Sequence, residues 1–225
     1  MKARITLGLA AVVAFATTAS AAVLWDQSNY ETGPNALVDE EFLDYPTYSS
    51  YMMMDVTAST DWTVDSVSIF LTDGQNGVWQ VINQARLNVF SWTPGSLPVA
   101  ADDPTAGTLV SVTMTDLGDT FKMTASGLDL DLAAGNYWIG LAPQATHAQV
   151  GQEFHRAAPI VGDNAAWRNP GGAFGYGTGW NYAYIIDTSG EWQDTYEGAI
   201  LIEGIPAPGA LALLGLAGLV SRRRR

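Results

Sequence analysis

The stretch Gly127 to Leu141, GLDLDLAAGNYWIGL, reads as strand, turn, strand. Leu128, Leu130 and Leu132 alternate with Asp129 and Asp131, which is the period of a strand with one apolar and one solvated face. Ala133 to Asn136 supplies the turn. Tyr137-Trp138-Ile139-Gly140-Leu141 then returns as a second, more apolar strand.

Segments of the same kind recur on either side of this block. Tyr51 to Ala58 alternates Met52 and Met54 against Met53 and Asp55. Thr63 to Thr72 holds the β-branched and aromatic run Val67-Ser68-Ile69-Phe70-Leu71, although Val64 falls out of parity with Val67, Ile69 and Leu71. Ala85 to Trp92 opposes Leu87 and Val89 to Asn88 and Phe90. Thr108 to Met114 and Asp119 to Ser126 complete the central run, with Gln152 to Arg156, Trp180 to Ile186 and Ala199 to Ile202 following as shorter strands. Turn-rich loops separate them, among them Asp73 to Gly77 and the proline-containing Thr93 to Thr105. Eight to ten short strands without an amphipathic helix predict an all-β fold, an antiparallel β-sandwich of jelly-roll type. No fixed-period repeat points to a propeller or solenoid.

The two ends differ in kind from this middle. Met1 to Ala21 has a basic start (Lys2, Arg4), an apolar run from Ile5 to Ala16 and a small-x-small site, Ala19-Ser20-Ala21. That is a signal peptide, cleaved so that Ala22 becomes the new N-terminus. At the other end, residues 205–225 combine Pro206-Ala207-Pro208, an apolar run from Gly209 to Val220, and Arg222, Arg223, Arg224 and Arg225. As a helix, twelve residues span about 18 Å against a hydrocarbon core of about 30 Å, short for a permanent anchor. The arginines are expected to stay cytoplasmic and leave residues 22–204 outside the inner membrane. This middle part carries all 23 acidic residues and only Arg86, Lys122, Arg156 and Arg168, a net charge of −19. So negative a domain repels phosphate backbones, which excludes nucleic acid as a partner.

Motifs of catalysis are few. With no cysteine, thiol chemistry is excluded. HExxH, GxSxG and Walker sequences are all lacking. His147 and His155 lie eight residues apart with Glu153 between them, a low ligand count for zinc. A glycosidase needs two carboxylates across a sugar; Glu40 with Asp44, or Glu153 with Asp163, can be nominated, and nothing in the sequence distinguishes them from other pairs. No cofactor is expected beyond a candidate structural calcium, with Asp39, Glu40, Asp73 and Asp163 in loops, although no DxDxDG loop is present. Trp167, Tyr176, Trp180 and Tyr182 form a candidate glycan-binding set, since aromatic faces stack on sugar rings. The competing reading is that these rings support loops and core.

Two resemblances add to this. Ala134-Gly135-Asn136-Tyr137-Trp138 resembles the Ala-Gly-x-Tyr-Trp turn that leads into a late inner strand of secreted bacterial jelly-roll domains. The C-terminal residues resemble the PEP-CTERM class of exported bacterial proteins, whose tail has a Pro-Glu-Pro signature, a short transmembrane run and an arginine cluster. Here Ala207 stands in place of Glu. The resemblance implies processing by signal peptidase and an exosortase, with transient anchoring in the inner membrane through a C-terminal transmembrane helix. Release to the surface or extracellular matrix of a Gram-negative-type bacterium would follow, often alongside exopolysaccharide. The resulting expectation is an exported, non-enzymatic protein with a structural or interaction role. A carbohydrate (exopolysaccharide) binding module is the alternative, and a secreted glycoside hydrolase the third reading.

Overall fold

A computed structural model describes residues 21–30, 37–73, 78–183, 185–186, 192–193 and 197–207. Ala19, Pro208, the apolar run 209–220 and Arg222 to Arg225 lie outside these residues, as does the side chain of Asp73. No helix among the described residues is long and apolar enough to cross a membrane.

The chain is all-β and almost wholly antiparallel. Its strands are β1 (Ala22–Asp26), β2 (Glu41–Phe42), β3 (Tyr51–Ala58), β4 (Trp62–Asp73), β5 (Gln84–Ser91), β6 (Thr108–Asp116), β7 (Phe121–Leu132) and β8 (Gly135–Ala145). After the four-residue helix α1 (His147–Val150) come β9 (Glu153–His155), β10 (Ala157–Ala158), β11 (Ala166–Arg168) and β12 (Trp180–Tyr182). Then follow β13 (Ile185–Ile186), β14 (Trp192–Gln193), β15 (Glu197–Gly198) and β16 (Ile200–Pro206). The main sheet runs β1-β16-β4-β7-β6-β5-β8-β3-β11-β12, with β9 added to β4 and β2 to β8. The β2–β8 pair is parallel.

This sheet curls on itself, and β6 makes the bend. Its first half, up to Ser111, pairs with β5, and its second half, from Val112, pairs with β7. The strands on either side of β6 therefore face each other in a sandwich-like arrangement over one core. Met52, Met54 and Val56 of β3, with Ile139 and Leu141 of β8, meet Val67, Ile69 and Leu71 of β4, Met123 and Ala125 of β7, and Ile200 and Ile202 of β16. Each such side chain contributes roughly 1.5–3 kcal/mol on burial. The alternation expected for β3 holds: Met53 points the other way, into a smaller cluster with Trp138 and Ala166. Phe90, Trp92, Leu97 and Trp180 pack against that outer cluster. The proline-containing loop after β5 is tied over it, because Arg168 and the Trp180 indole both donate to the Asp102 carbonyl, at 2.9 and 3.0 Å.

The parity break at Val64 has a local cause. The β4–β7 register slips between Val64 and Ser66, so that Val64 pairs with Leu130 and Ser66 with Ser126. The surplus residues lie on β7, where Gly127 has φ +67° and Asp129 φ +48°. β4 carries its own extra residue, Asp65, since the adjacent residues Glu203 and Gly204 of β16 pair with Ser66 and Val64; this bulge returns Val64 to the same core as Val67. Leu128 and Leu130 pack against the core while Asp129 and Asp131 stay exposed, as the alternation requires. Phe121–Leu132 is thus one kinked strand rather than two.

The ends of the domain meet. Ala22 pairs with Gly204, Pro206 pairs with Trp62, and the Ala207 N–H donates to the Asp61 carbonyl at 2.7 Å. The last strand therefore continues into the Pro206-Ala207 pair instead of stopping at residue 204.

Candidate functional site

The four aromatic residues singled out above do not form one platform. In the β11–β12 ladder Ala166 faces Tyr182 and Arg168 faces Trp180, while Trp167 pairs with Asn181 and points to the opposite side. Trp167 is only 4% exposed and donates its indole N–H to the Val38 carbonyl at 2.9 Å. Trp180 and Tyr182 are half-buried. Trp180 lies under the Arg168 guanidinium, 5.7 Å from its ring centroid, and edge-on to Phe90. Tyr176 alone of the four is exposed, at 52%.

The candidate calcium residues are not gathered either. Asp39 and Glu40 are fully buried, whereas Asp163 is half-buried and accepts from the Gly95 N–H. Among the described residues no group of three or more His, Asp or Glu side chains is arranged to hold a metal ion. The nominated acid pairs separate in the same way. Asp44 is exposed and caps α1, accepting from the N–H groups of His147 and Ala148 at 2.8 and 3.1 Å. Burial would raise its carboxyl, yet those two bonds outweigh it and hold the group below its usual range.

Most unexpected is how many acids lie inside. Asp39, Glu40, Asp55, Glu153 and Glu197 are all buried, so the surface is less negative than the composition implies. Asp39 accepts from the Met52 N–H at 3.0 Å and meets His155 Nδ1 at 3.0 Å. His155 Nε2 lies 3.0 Å from the Ala199 carbonyl, which can only accept, so Nε2 carries a hydrogen. Burial pushes Asp39 up, and His155 offsets part of that. Because Nε2 is committed to Ala199, this Asp–His pair has no face to offer a serine nucleophile. Asp55 and Glu197 form a second pair joined by a carboxyl–carboxyl hydrogen bond, both raised chiefly by burial. Glu40 Oε2 accepts from the Glu153 N–H at 3.1 Å, and burial, helped by Asp39 and Asp44, pushes this carboxyl up to about 8. Asp39 and Glu40 tie segment 38–40 to β3 and β9.

One open concavity lies elsewhere. Phe42, Tyr45, Tyr48, His147 and Gln152 line a groove of about 210 Å³. Its geometry is set from beneath. The chain leaves β2, turns through the 3₁₀ segment Pro46–Tyr48, and enters β3. Asn169 holds that turn, donating to the Thr47 and Ser49 carbonyls at 2.9 and 2.7 Å and accepting from the Phe174 N–H at 3.2 Å. Asp44 fixes α1, and the His147 ring sits edge-on between Phe42 and Tyr45, each centroid 5.7 Å away. Tyr48 stands edge-on to Phe174 at 5.5 Å, and Phe174 packs on Trp167. The Tyr45 and Tyr48 rings remain 53% and 43% exposed. A proline between two tyrosines, Tyr45-Pro46-Thr47-Tyr48, is the sequence signal that this rim leaves. Nothing in the sequence pairs it with His147, a hundred residues away.

Comparison of the chain with protein-family models, with curated proteins and with solved structures found no match.

Proposed function

We propose that the chain is an exported surface or matrix protein, sorted by its C-terminal tail, whose jelly-roll-type domain acts by binding rather than by catalysis. The observation that carries this reading is the polarity of the fold. Ala22, Gly204 and Pro206 sit at one pole, beside the turn after β7, where the Ala134 N–H bonds Asp61. The tyrosine-rimmed groove lies beyond the far end of β8, where Ala145 pairs with Phe42. Ten residue steps along β8 separate the two poles by roughly 33 Å. A domain tethered through its tail thus presents the groove away from the tether. The interior position of Asp39, Glu40, Glu153 and His155 supports a non-catalytic role, because general acids and bases must reach a substrate.

The export half is tested by expressing the full chain, and a form with Arg222 to Arg225 changed to Ala, in a bacterium with two membranes and an exosortase. The intact chain is expected at the surface or in the medium, beginning at Ala22 and lacking the arginines by mass spectrometry. Equal distribution of the two forms, both unprocessed at the C-terminus, would overturn it.

A further inference from the structure

We infer that the buried carboxyl pair of Asp55 and Glu197 is a proton-dependent latch, which in acid holds the β10–β15 pair and the loop around Gly162 over a bare edge of β3 and in alkali releases them. The edge is the first argument. β3 pairs with β8 over Met54 to Ala58, but on its other side β11 reaches only Tyr51 to Met53. From Met54 outward no described strand pairs with that side, and an uncovered edge is a template for pairing with another chain. Two glycines close it instead. Gly198 of β15 lies against the Met54 sulfur and the His155 ring, and Gly162 lies against the Asp55 carboxyl, each with no room for a Cβ.

The fastening is the second argument. The Asp163 N–H donates to Asp55 Oδ2 at 3.2 Å, and the Asp55 carboxyl is hydrogen-bonded to Glu197, whose strand pairs with Ala157 and Ala158. One carboxyl on β3 thus ties down both pieces of the cover. A hydrogen bond between two carboxyls requires a proton on one of them. Asp55 Oδ1 and Glu197 Oε2 have no other hydrogen-bond partner among the described residues, so that proton is the hydrogen they have. The groups facing the pair bring no counter-charge: Asp163 is a third acid, and His155 of β9 is paired to Asp39. The basic side chains of the domain are held elsewhere. Arg86 is bound by Glu41, Arg156 by Thr120 and Asp119, and Arg168 by the Asp102 and Thr178 carbonyls, while Lys122 stands on β7 between β4 and β6. Protonation is therefore what neutralises the pair. Both groups are raised above the usual carboxylate range, first by burial, so their contribution is present in acid and is lost as pH rises through the raised values. Ionisation of both sets like charges at hydrogen-bond distance in a buried place. The cover, whose Ile160 and Val161 are already exposed, is the part that gives way.

The test is amide hydrogen exchange of the full chain in detergent, read by mass spectrometry on peptides covering residues 157–163 and 197–199. Exchange is followed from pH 5 to pH 9 and corrected for the pH dependence of the intrinsic rate. Every protein in the series carries Glu40→Gln, so that this other raised carboxyl does not titrate. Protection of the cover should hold in acid and then fall by about tenfold per pH unit once the pair ionises, while β4 and β7 stay protected. Adding Asp55→Asn and Glu197→Gln gives an amide pair of the same shape that keeps a hydrogen bond and does not ionise. That variant should show level protection across the range. Protection of the cover that is constant from pH 5 to pH 9 in the titrating protein would overturn the inference. So would a loss in step with β4 and β7, which is global unfolding, and so would the same pH slope in the amide variant. Should the amide variant melt lower than the titrating protein at pH 5, the first two outcomes still decide, because both are read on the protein that keeps Asp55 and Glu197.

Discussion

Replacing Glu40 with Gln should make the domain more stable in alkali and leave it unchanged in acid. Glu40 is fully buried, one of its oxygens accepts from the Glu153 N–H, and the other has no hydrogen-bond partner among the described residues. Its carboxyl is raised from 4.5 to about 8, first by burial and then by Asp39 and Asp44. The folded state therefore binds the proton more tightly than the unfolded chain does. That contribution to stability is fully present below pH 4.5 and is lost as pH rises through 8. At about 1.36 kcal/mol per pH unit, the gap amounts to on the order of 5 kcal/mol. Gln has nearly the same shape, can accept from the Glu153 N–H, and does not titrate. Near pH 4 the two proteins should therefore unfold at the same denaturant concentration. By pH 9 the Glu40→Gln protein should be the more stable, by up to about 5 kcal/mol. Urea titrations followed by tryptophan fluorescence at pH 4, 7 and 9 measure this directly. Parallel pH profiles for the two proteins would show that Glu40 keeps an ordinary pKa and would refute the account of the buried acids.

Three further expectations follow from the same interior. His155→Ala removes the partner of buried Asp39 and leaves the Ala199 carbonyl with only a long bond from the Phe70 N–H, at 3.4 Å, which should cost about 3–5 kcal/mol, read as a fall in urea midpoint at pH 7. Gly162→Ala meets two obstacles, a φ of +117° and a collision of the new methyl with the Asp55 carboxylate. It should lower the melting temperature at a cost of about 1–3 kcal/mol, and a melting temperature equal to the parent's would show that the loop moves aside freely. Arg86→Ala breaks a bidentate pair with Glu41, at 2.6 and 2.7 Å, and a bond to the Gly107 carbonyl. It should destabilise by about 1–3 kcal/mol in denaturant titrations.

Much of the fold is legible because strand periodicity is a local property. Leu128 to Leu132 and Met52 to Met54 show which side faces inward without reference to any partner. What local pattern could not supply was the slip between Val64 and Ser66, since a bulge needs two strands to define it. The buried acids escaped notice for a similar reason. Asp39-Glu40-Glu41 looks like a solvated run, and only the arrival of His155 and Met52 from distant strands makes the Asp39 carboxyl an interior group. The placement of the aromatic rings was less legible, because loop composition does not say which rings a neighbouring loop will cover. Trp180 is half covered where it bonds the Asp102 carbonyl, while Tyr45 and Tyr48 stay in the open.

The position of β16 has a consequence for the order in which the domain can be completed. This last strand lies between β1 and β4, and β1 pairs with it alone. A chain threaded across a membrane from its N-terminus delivers residues 200–206 after every other strand. Until they emerge, β1 has no neighbour and β4 has one bare edge, an exposed state that long-range pairing prolongs. The sheet then closes at the same moment that Pro206 reaches Trp62. Completion of the fold thereby waits for the residues next to the tail, and a chain cut short at residue 199 would keep two open sheet edges instead of a smaller domain.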